Sequence, residues 1–185
     1  MTGVILFRAQ PFHKGHMHMI RKGYEDCQKT NSELYIFVGS ADKSGTKRNP
    51  LPIDFRLMLI NGALHEEYSA QDLQHIHVVP LEDMSDESDN SYHWGRYLFI
   101  KMLNHTNDPD LTIYYSDRPD IMLNWFDSED RKWLRFKFLD RHRNISATQV
   151  RTIMKTDPNG TDHLVPNYTY LYRYDIQKYL KEVED

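Results

Sequence analysis

The chain has 185 residues, a formal net charge of −4 and a single cysteine. It has bulk for one sizeable core, but no basic surplus for nonspecific nucleic-acid binding and no means for an internal disulfide. With no export signal and no apolar run near the roughly 20 residues that span a bilayer, it predicts one cytoplasmic domain over 1–185 with no membrane or nucleic-acid partner, homo-oligomerisation being left open.

Val4 to Phe7 is a short apolar run that predicts a first strand, and Met17, Ile20, Tyr24 and Cys27 then recur at helical spacing. Leu34 to Val38 predicts a second strand. After Pro52, which suits a first helical turn, Ile53, Leu57, Ile60 and Leu64 mark the apolar side of a second helix. Ile76 to Val79 predicts a third strand, followed by the acidic connection LEDMSDESDN over Leu81 to Asn90. Trp94, Leu98 and Met102, four apart, read as a core stripe on a third helix. Leu111 to Tyr115 and Trp133 to Leu139 predict the last two strands. A C-terminal helix over about 166–184 is expected to close the core through Tyr168, Leu171, Tyr172, Ile176 and Leu180. Strand and helix alternate throughout, which predicts an α/β fold: a Rossmann-like, doubly wound parallel sheet of about five strands with helices on both faces. Ligands of such sheets collect at the carboxyl ends of the strands.

Three segments at such ends have phosphate-binding chemistry. FRAQPFHKGH leaves the first strand, and Gly15 between His13 and His16 suggests close approach to backbone. A phosphate there is expected to meet free N–H groups and the positive end of a helix dipole, with ring N–H donors from both histidines. Alone, each histidine reads more simply as a surface or cap residue, and with His18 the pair leaves a zinc reading open. The second segment is NISATQVR, in which Ser146 and Gln149 have capping-box spacing. If Val150, Ile153 and Met154 face the core, Thr148 and Arg151 lie together on the opposite side, where an arginine fork suits a polyphosphate. The third is GSADKSGTKRN, which carries Lys43, Lys47 and Arg48 but is not a Walker loop, because position 44 is serine.

His13-Lys14-Gly15-His16 together with Ile145-Ser146-Ala147-Thr148-Gln149-Val150-Arg151 resembles the paired signatures of the HxGH nucleotidylyltransferases, within them the archaeal-type nicotinamide mononucleotide adenylyltransferases. The similarity extends through Arg8, Gln10-Pro11-Phe12, Gly39-Ser40-Ala41, Asn49-Pro50, Arg56, Tyr115-Ser116 and Leu164-Val165-Pro166. The resemblance implies transfer of AMP from ATP to nicotinamide mononucleotide, forming NAD and pyrophosphate, with Mg²⁺ accompanying the triphosphate. It implies that His13, His16 and Arg151 act on the reacting phosphates, and that Arg8, Gln10, Gly15, Lys43, Ser146 and Thr148 bind ATP. Gly39, Ser40, Asp83, Asn90 and Trp94 would receive the mononucleotide, Trp94 through its indole face. No residue is expected to form a metal site by itself. Phe7 and Ala9 depart from the family, which usually has glycine and an aromatic at these positions; the two side chains exchange bulk. The phosphate motifs leave open another acceptor, such as flavin mononucleotide, phosphopantetheine or a polyol phosphate, a cytidylyl donor, or a catalytically silent nucleotide-binding module.

Overall fold

The computed structural model describes residues 1–84, 92–116 and 124–183. Strands β1 (Thr2–Phe7), β2 (Leu34–Val38), β3 (Ile76–Pro80), β4 (Leu111–Tyr115) and β5 (Leu134–Phe138) form one parallel sheet in the order β3-β2-β1-β4-β5. Successive residues of a strand point to opposite faces. Accordingly Ile5 and Phe7 enter a core with α1 (Lys14–Lys29), α2 (Ile53–Glu67) and α4 (Ala147–Thr156), whereas Val4 enters a second core with α3 (Tyr92–Thr106). The chain runs from β1 to β2 and β3, then returns past β1 to β4. This reversal opens a crevice at the carboxyl ends of β1 and β4.

The expected strands are present, with two adjustments at the last. Trp133 is 57% exposed and caps a short turn before β5, and Phe138 is 50% exposed on this edge strand. The apolar spacing of α1 holds: Met17, Ile20, Tyr24 and Cys27 are all buried. In α2 the buried side is rotated from the expected one, comprising Arg56, Leu59, Ile60, Ala63 and Leu64, while Ile53 and Leu57 are only partly buried. The rotation has a physical cause in Arg56, whose guanidinium is fully enclosed and bonded to backbone, so a charged residue occupies a core position.

The expected single helix over 166–184 is two, α5 (Asn167–Leu171) and α6 (Arg173–Glu182), parted at Tyr172. Arg173 donates from Nη1 to the Tyr170 carbonyl at 3.0 Å, satisfying one of the acceptors that the break releases. The break changes the helical phase, so Leu171, expected in the core, is 65% exposed, while Thr169 is buried. Ile176 and Leu180 close the core as expected.

Candidate active site

The crevice holds a cavity of about 260 Å³ in which the β1 exit, the start of α1, the β4 exit and the start of α4 meet. His13, Gly15, His16, Ser146 and Arg151 all line it, so the two sequence signatures do face one space. They meet closely there: a methyl group added at Gly15 would lie 2.9 Å from the His13 ring and 3.5 Å from the carbonyl oxygen of Ile145.

The start of α1 differs from expectation in how its amides are used. His13 is the N-cap, accepting the Gly15 N–H at Nδ1 over 3.1 Å, and His16 Nδ1 accepts the His13 N–H over 3.2 Å. The Lys14 N–H donates to the Leu164 carbonyl at 2.9 Å and the His16 N–H to the His13 carbonyl at 3.0 Å. The first backbone donors of α1 are therefore committed, and the free N–H groups expected for a phosphate are not there. Their replacement is on the side chains. An Nδ1 that accepts has no proton, so each neutral imidazole carries its hydrogen on Nε2 and is a donor there. The cap and phosphate-donor readings of these histidines are thus compatible, one per ring nitrogen.

Burial keeps both rings neutral. The His13 pKa falls from 6.5 to about 3, mainly through desolvation and secondarily through Arg141. That of His16 is also pushed well below its ordinary value by desolvation and then by His13, whose ring stacks on it with centroids 3.7 Å apart. Phe7 packs on the His16 ring at 4.4 Å and Phe12 at 5.6 Å, so the phenyl group at position 7 forms one wall of the histidine's seat. Ala9 has φ of 53°, a left-handed conformation in which a small side chain is the easier fit.

The linkage is directional. Between pH 6.5 and about 3 the unfolded chain binds a proton at His13 that the folded chain does not. Stability contributed by His13 is present above pH 6.5 and is lost on acidification, by about 1.4 kcal/mol per pH unit. Denaturant titrations from pH 7 to 4.5 are expected to show a shallower loss in His13→Asn, which retains a cap acceptor. Equal slopes in the two proteins would remove His13 as the source.

At α4, Ser146 Oγ accepts the Gln149 N–H at 3.2 Å, the expected cap. Arg151 donates from Nη1 to the Gln10 carbonyl at 2.7 Å and from Nη2 to Thr148 Oγ1 at 3.3 Å, so it ties α4 to the β1 exit. Val150 and Met154 are buried and Ile153 partly so, as the spacing predicts. Thr148 lines a neighbouring cleft rather than this cavity.

Several other assignments move. Gln10, expected at ATP, does line the cavity, but its side-chain amide is spent on Leu51, donating to the Leu51 carbonyl at 3.1 Å and accepting the Leu51 N–H at 2.9 Å. Lys43 pairs with Asp42 at 3.2 Å and is not in the cavity lining, which takes Arg48 from that loop instead. Arg8 is in the lining, as expected, with a donor 3.5 Å from Asn49 Oδ1. Arg141 and Asp140, which follow β5, also line the cavity and were not singled out in the sequence; the adjacent arginines of RHR were the available signal. Among the described residues four arginines thus meet one carboxylate in this lining, a balance suited to a polyanion.

Gly39 and Ser40 lie beside the cavity. Their carbonyls and that of Arg8 each accept from Arg56 at 2.8 Å. Asp83 donates its N–H to Asp42 Oδ1 at 2.8 Å. Trp94 is partly buried against Tyr97 and Trp125, with ring centroids 5.5 and 6.3 Å away. Neither Asp83 nor Trp94 lines the cavity, and Asn90 lies outside the described residues. Among the described residues no group of three or more His, Cys, Asp or Glu side chains could hold a metal, and His18 stacks on His142 at 5.1 Å. No helix among the described residues is long and apolar enough to cross a membrane.

Known proteins are similar to this chain in sequence and fold. The nicotinamide-nucleotide adenylyltransferase of Haloarcula marismortui is 28% identical over 164 residues, covering 89% of this chain and 76% of that protein. The protein of the same name from Methanococcus maripaludis strain C6 is 27% identical over 184 residues, covering 100% of this chain and 91% of that protein. Among solved structures, the bifunctional NMN adenylyltransferase/ADP ribose pyrophosphatase from Francisella tularensis, complexed with AMP and a manganese ion, has the same fold. Its TM-score is 0.70 at 20% identity, over 98% of this chain and 51% of that one, so this chain spans about half its length. Residues 8–153 match the family described as cytidylyltransferase-like, and the chain belongs to that family.

Proposed function

We propose that the chain transfers AMP from ATP to nicotinamide mononucleotide, forming NAD and releasing pyrophosphate. The observation that carries this reading is the His13–His16 pair: each Nδ1 is held by a backbone N–H, so each ring keeps an Nε2–H donor at a cavity rich in arginine. An oxygen of the acceptor phosphate bonds to the α-phosphorus of ATP, the bond from that phosphorus to the β-bridging oxygen breaks, and the electron pair leaves with pyrophosphate. Acceptor phosphate is already anionic near neutral pH, so no protein base is needed. The chain's task is to hold two polyanions in line and to stabilise charge that moves to the leaving oxygens. Neutral Nε2–H donors and the Arg8, Arg48 and Arg151 guanidiniums supply that stabilisation.

The adenylyl donor and nicotinamide acceptor are supported by the names of the relatives from Haloarcula and Methanococcus. Mg²⁺ belongs to this proposal as a counterion entering with ATP, a mode that needs only one or two carboxylates and keeps several waters on the ion. Among the described residues Asp140 is the carboxylate in the cavity lining, which fits an ion carried mainly by phosphate oxygens rather than a protein-built cage. When bound, the ion would neutralise triphosphate charge.

Incubating the protein and Mg²⁺ with ATP or CTP and a panel of phosphorylated acceptors, then weighing the products, tests the assignment. NAD and pyrophosphate from ATP and nicotinamide mononucleotide are the expected products. A dinucleotide formed only from another acceptor would replace the substrate assignment, and nucleotide binding with no product in any mixture would replace the enzyme with a binding module.

A further inference from the structure

Beyond Arg151 lies a second cleft, of about 480 Å³, that the reaction described above does not use. Its walls are one side of α4, the end of α6 and Lys47 from the loop after β2. Arg151 lines both spaces, with its guanidinium fixed by Gln10 and Thr148, so it stands at the opening between them. Along α4 the cleft is lined by Thr148, Arg151, Thr152, Lys155 and Thr156, a stripe that follows helical spacing. Lys181 faces it from α6. Among the described residues no carboxylate lines this cleft, whereas the first cavity includes Asp140.

Part of this composition has a local explanation. Lys155 and Lys181 are in the last turns of their helices, where a cation complements the exposed carbonyl ends. That explanation does not reach Lys47, which comes from a loop, or Arg151 and Thr148, which are in the first half of α4. What unites all five is a positive charge or a hydroxyl donor around one cleft, whose lining is completed by Thr152, Thr156, Leu180 and Val183 and which shares Arg151 with the first cavity.

We propose that this cleft is an outer anion subsite for condensed phosphate, taking the phosphate groups that a nucleotide tail extends past Arg151. The inference rests on the reading in which Arg151 holds the outer phosphates of ATP, and it deepens that reading by giving the donor site room for a longer tail. Lys155 is one turn beyond Arg151 on the same side of α4, about 6 Å on, so a fourth phosphate comes within reach of its ammonium while the third stays on the guanidinium. Lys47 and Lys181 approach the same space from its other walls.

Calorimetric titration of the full chain with ATP and with adenosine 5′-tetraphosphate tests this, in the original protein and in Lys155→Gln/Lys181→Gln. Glutamine keeps the helix propensity of lysine. The original protein is expected to bind the tetraphosphate about tenfold more tightly, a difference of about 1.4 kcal/mol. The double variant is expected to bind ATP as before and to lose the preference. If that variant unfolds, Lys181→Gln alone is expected to narrow the preference at unchanged ATP affinity. Equal affinities in the original protein, or a preference that survives the substitutions, overturn the outer subsite. If ATP binds and NAD forms without a preference for the longer tail, only this inference falls; if neither nucleotide binds, the nucleotidyl-transfer reading falls with it.

Discussion

Replacing His16 with alanine is expected to lower the rate of pyrophosphate release by about 10²- to 10³-fold, the usual effect of removing one preorganised donor to developing oxyanion charge. The expectation follows from the ring's two bonds having separate tasks. Its Nδ1 accepts the His13 N–H at 3.2 Å, leaving Nε2–H as the donor toward phosphate. Loss of the first bond costs about 1 kcal/mol of stability, and truncating a ring packed on His13, Phe7 and Phe12 adds a cavity cost of about 2–5 kcal/mol. A melting curve beside the pyrophosphate assay separates the two effects, and an unchanged rate in a folded variant would remove the proposed role. Desolvation also holds the His16 pKa well below its ordinary value of 6.5. The rate should therefore show no limb near pH 6.5 from this residue.

The second large effect is on stability. Arg56→Ala is expected to destabilise the fold by about 3–5 kcal/mol, because buried carbonyls lose hydrogen bonds from a charged donor worth about 1.5–3 kcal/mol each. Three backbone carbonyls, of Arg8, Gly39 and Ser40, accept from this guanidinium, and that of Ser40 also accepts the Lys43 N–H at 3.2 Å. Burial draws its pKa down from 12.5 to about 10, which leaves it cationic at pH 7. Asp42 and Asp83 support the charge without a direct bond. Urea denaturation monitored by circular dichroism gives the measurement, and a change below about 1 kcal/mol would show that the loops hold their shape without this residue. Arg56→Lys, which keeps charge but loses the planar fork, should recover only part of the loss.

Arg56 also shows where sequence periodicity stops being informative. The strands were legible because β1, β2 and β4 are enclosed on both faces and therefore appear as uninterrupted apolar runs. A buried arginine breaks that correspondence, since its solvation by carbonyl groups comes from loops 16 and 48 residues away in the chain. The paired signatures were legible as well, because Ser146 and the histidines carry local capping chemistry. Which nitrogen each histidine leaves for a ligand was not, as it depends on backbone placement. Gln10 illustrates the same limit: nothing in its neighbours announces that Leu51 takes both ends of its amide. The C-terminal break at Tyr172 was hidden by an apolar spacing that runs smoothly through it, while Arg48 and Arg141 gain their place only when separate strand ends converge.

The bond between the Lys14 amide and the Leu164 carbonyl, with Lys14 Nζ on the Asp162 carbonyl at 3.0 Å, has a consequence for biosynthesis. A ribosome delivers the histidine loop early, but the segment that seats it emerges only after most of the polypeptide has been made. Until then the first helix begins with a Lys14 amide that lacks its Leu164 acceptor. The seat of the first helix is therefore completed only once residue 164 is available to it.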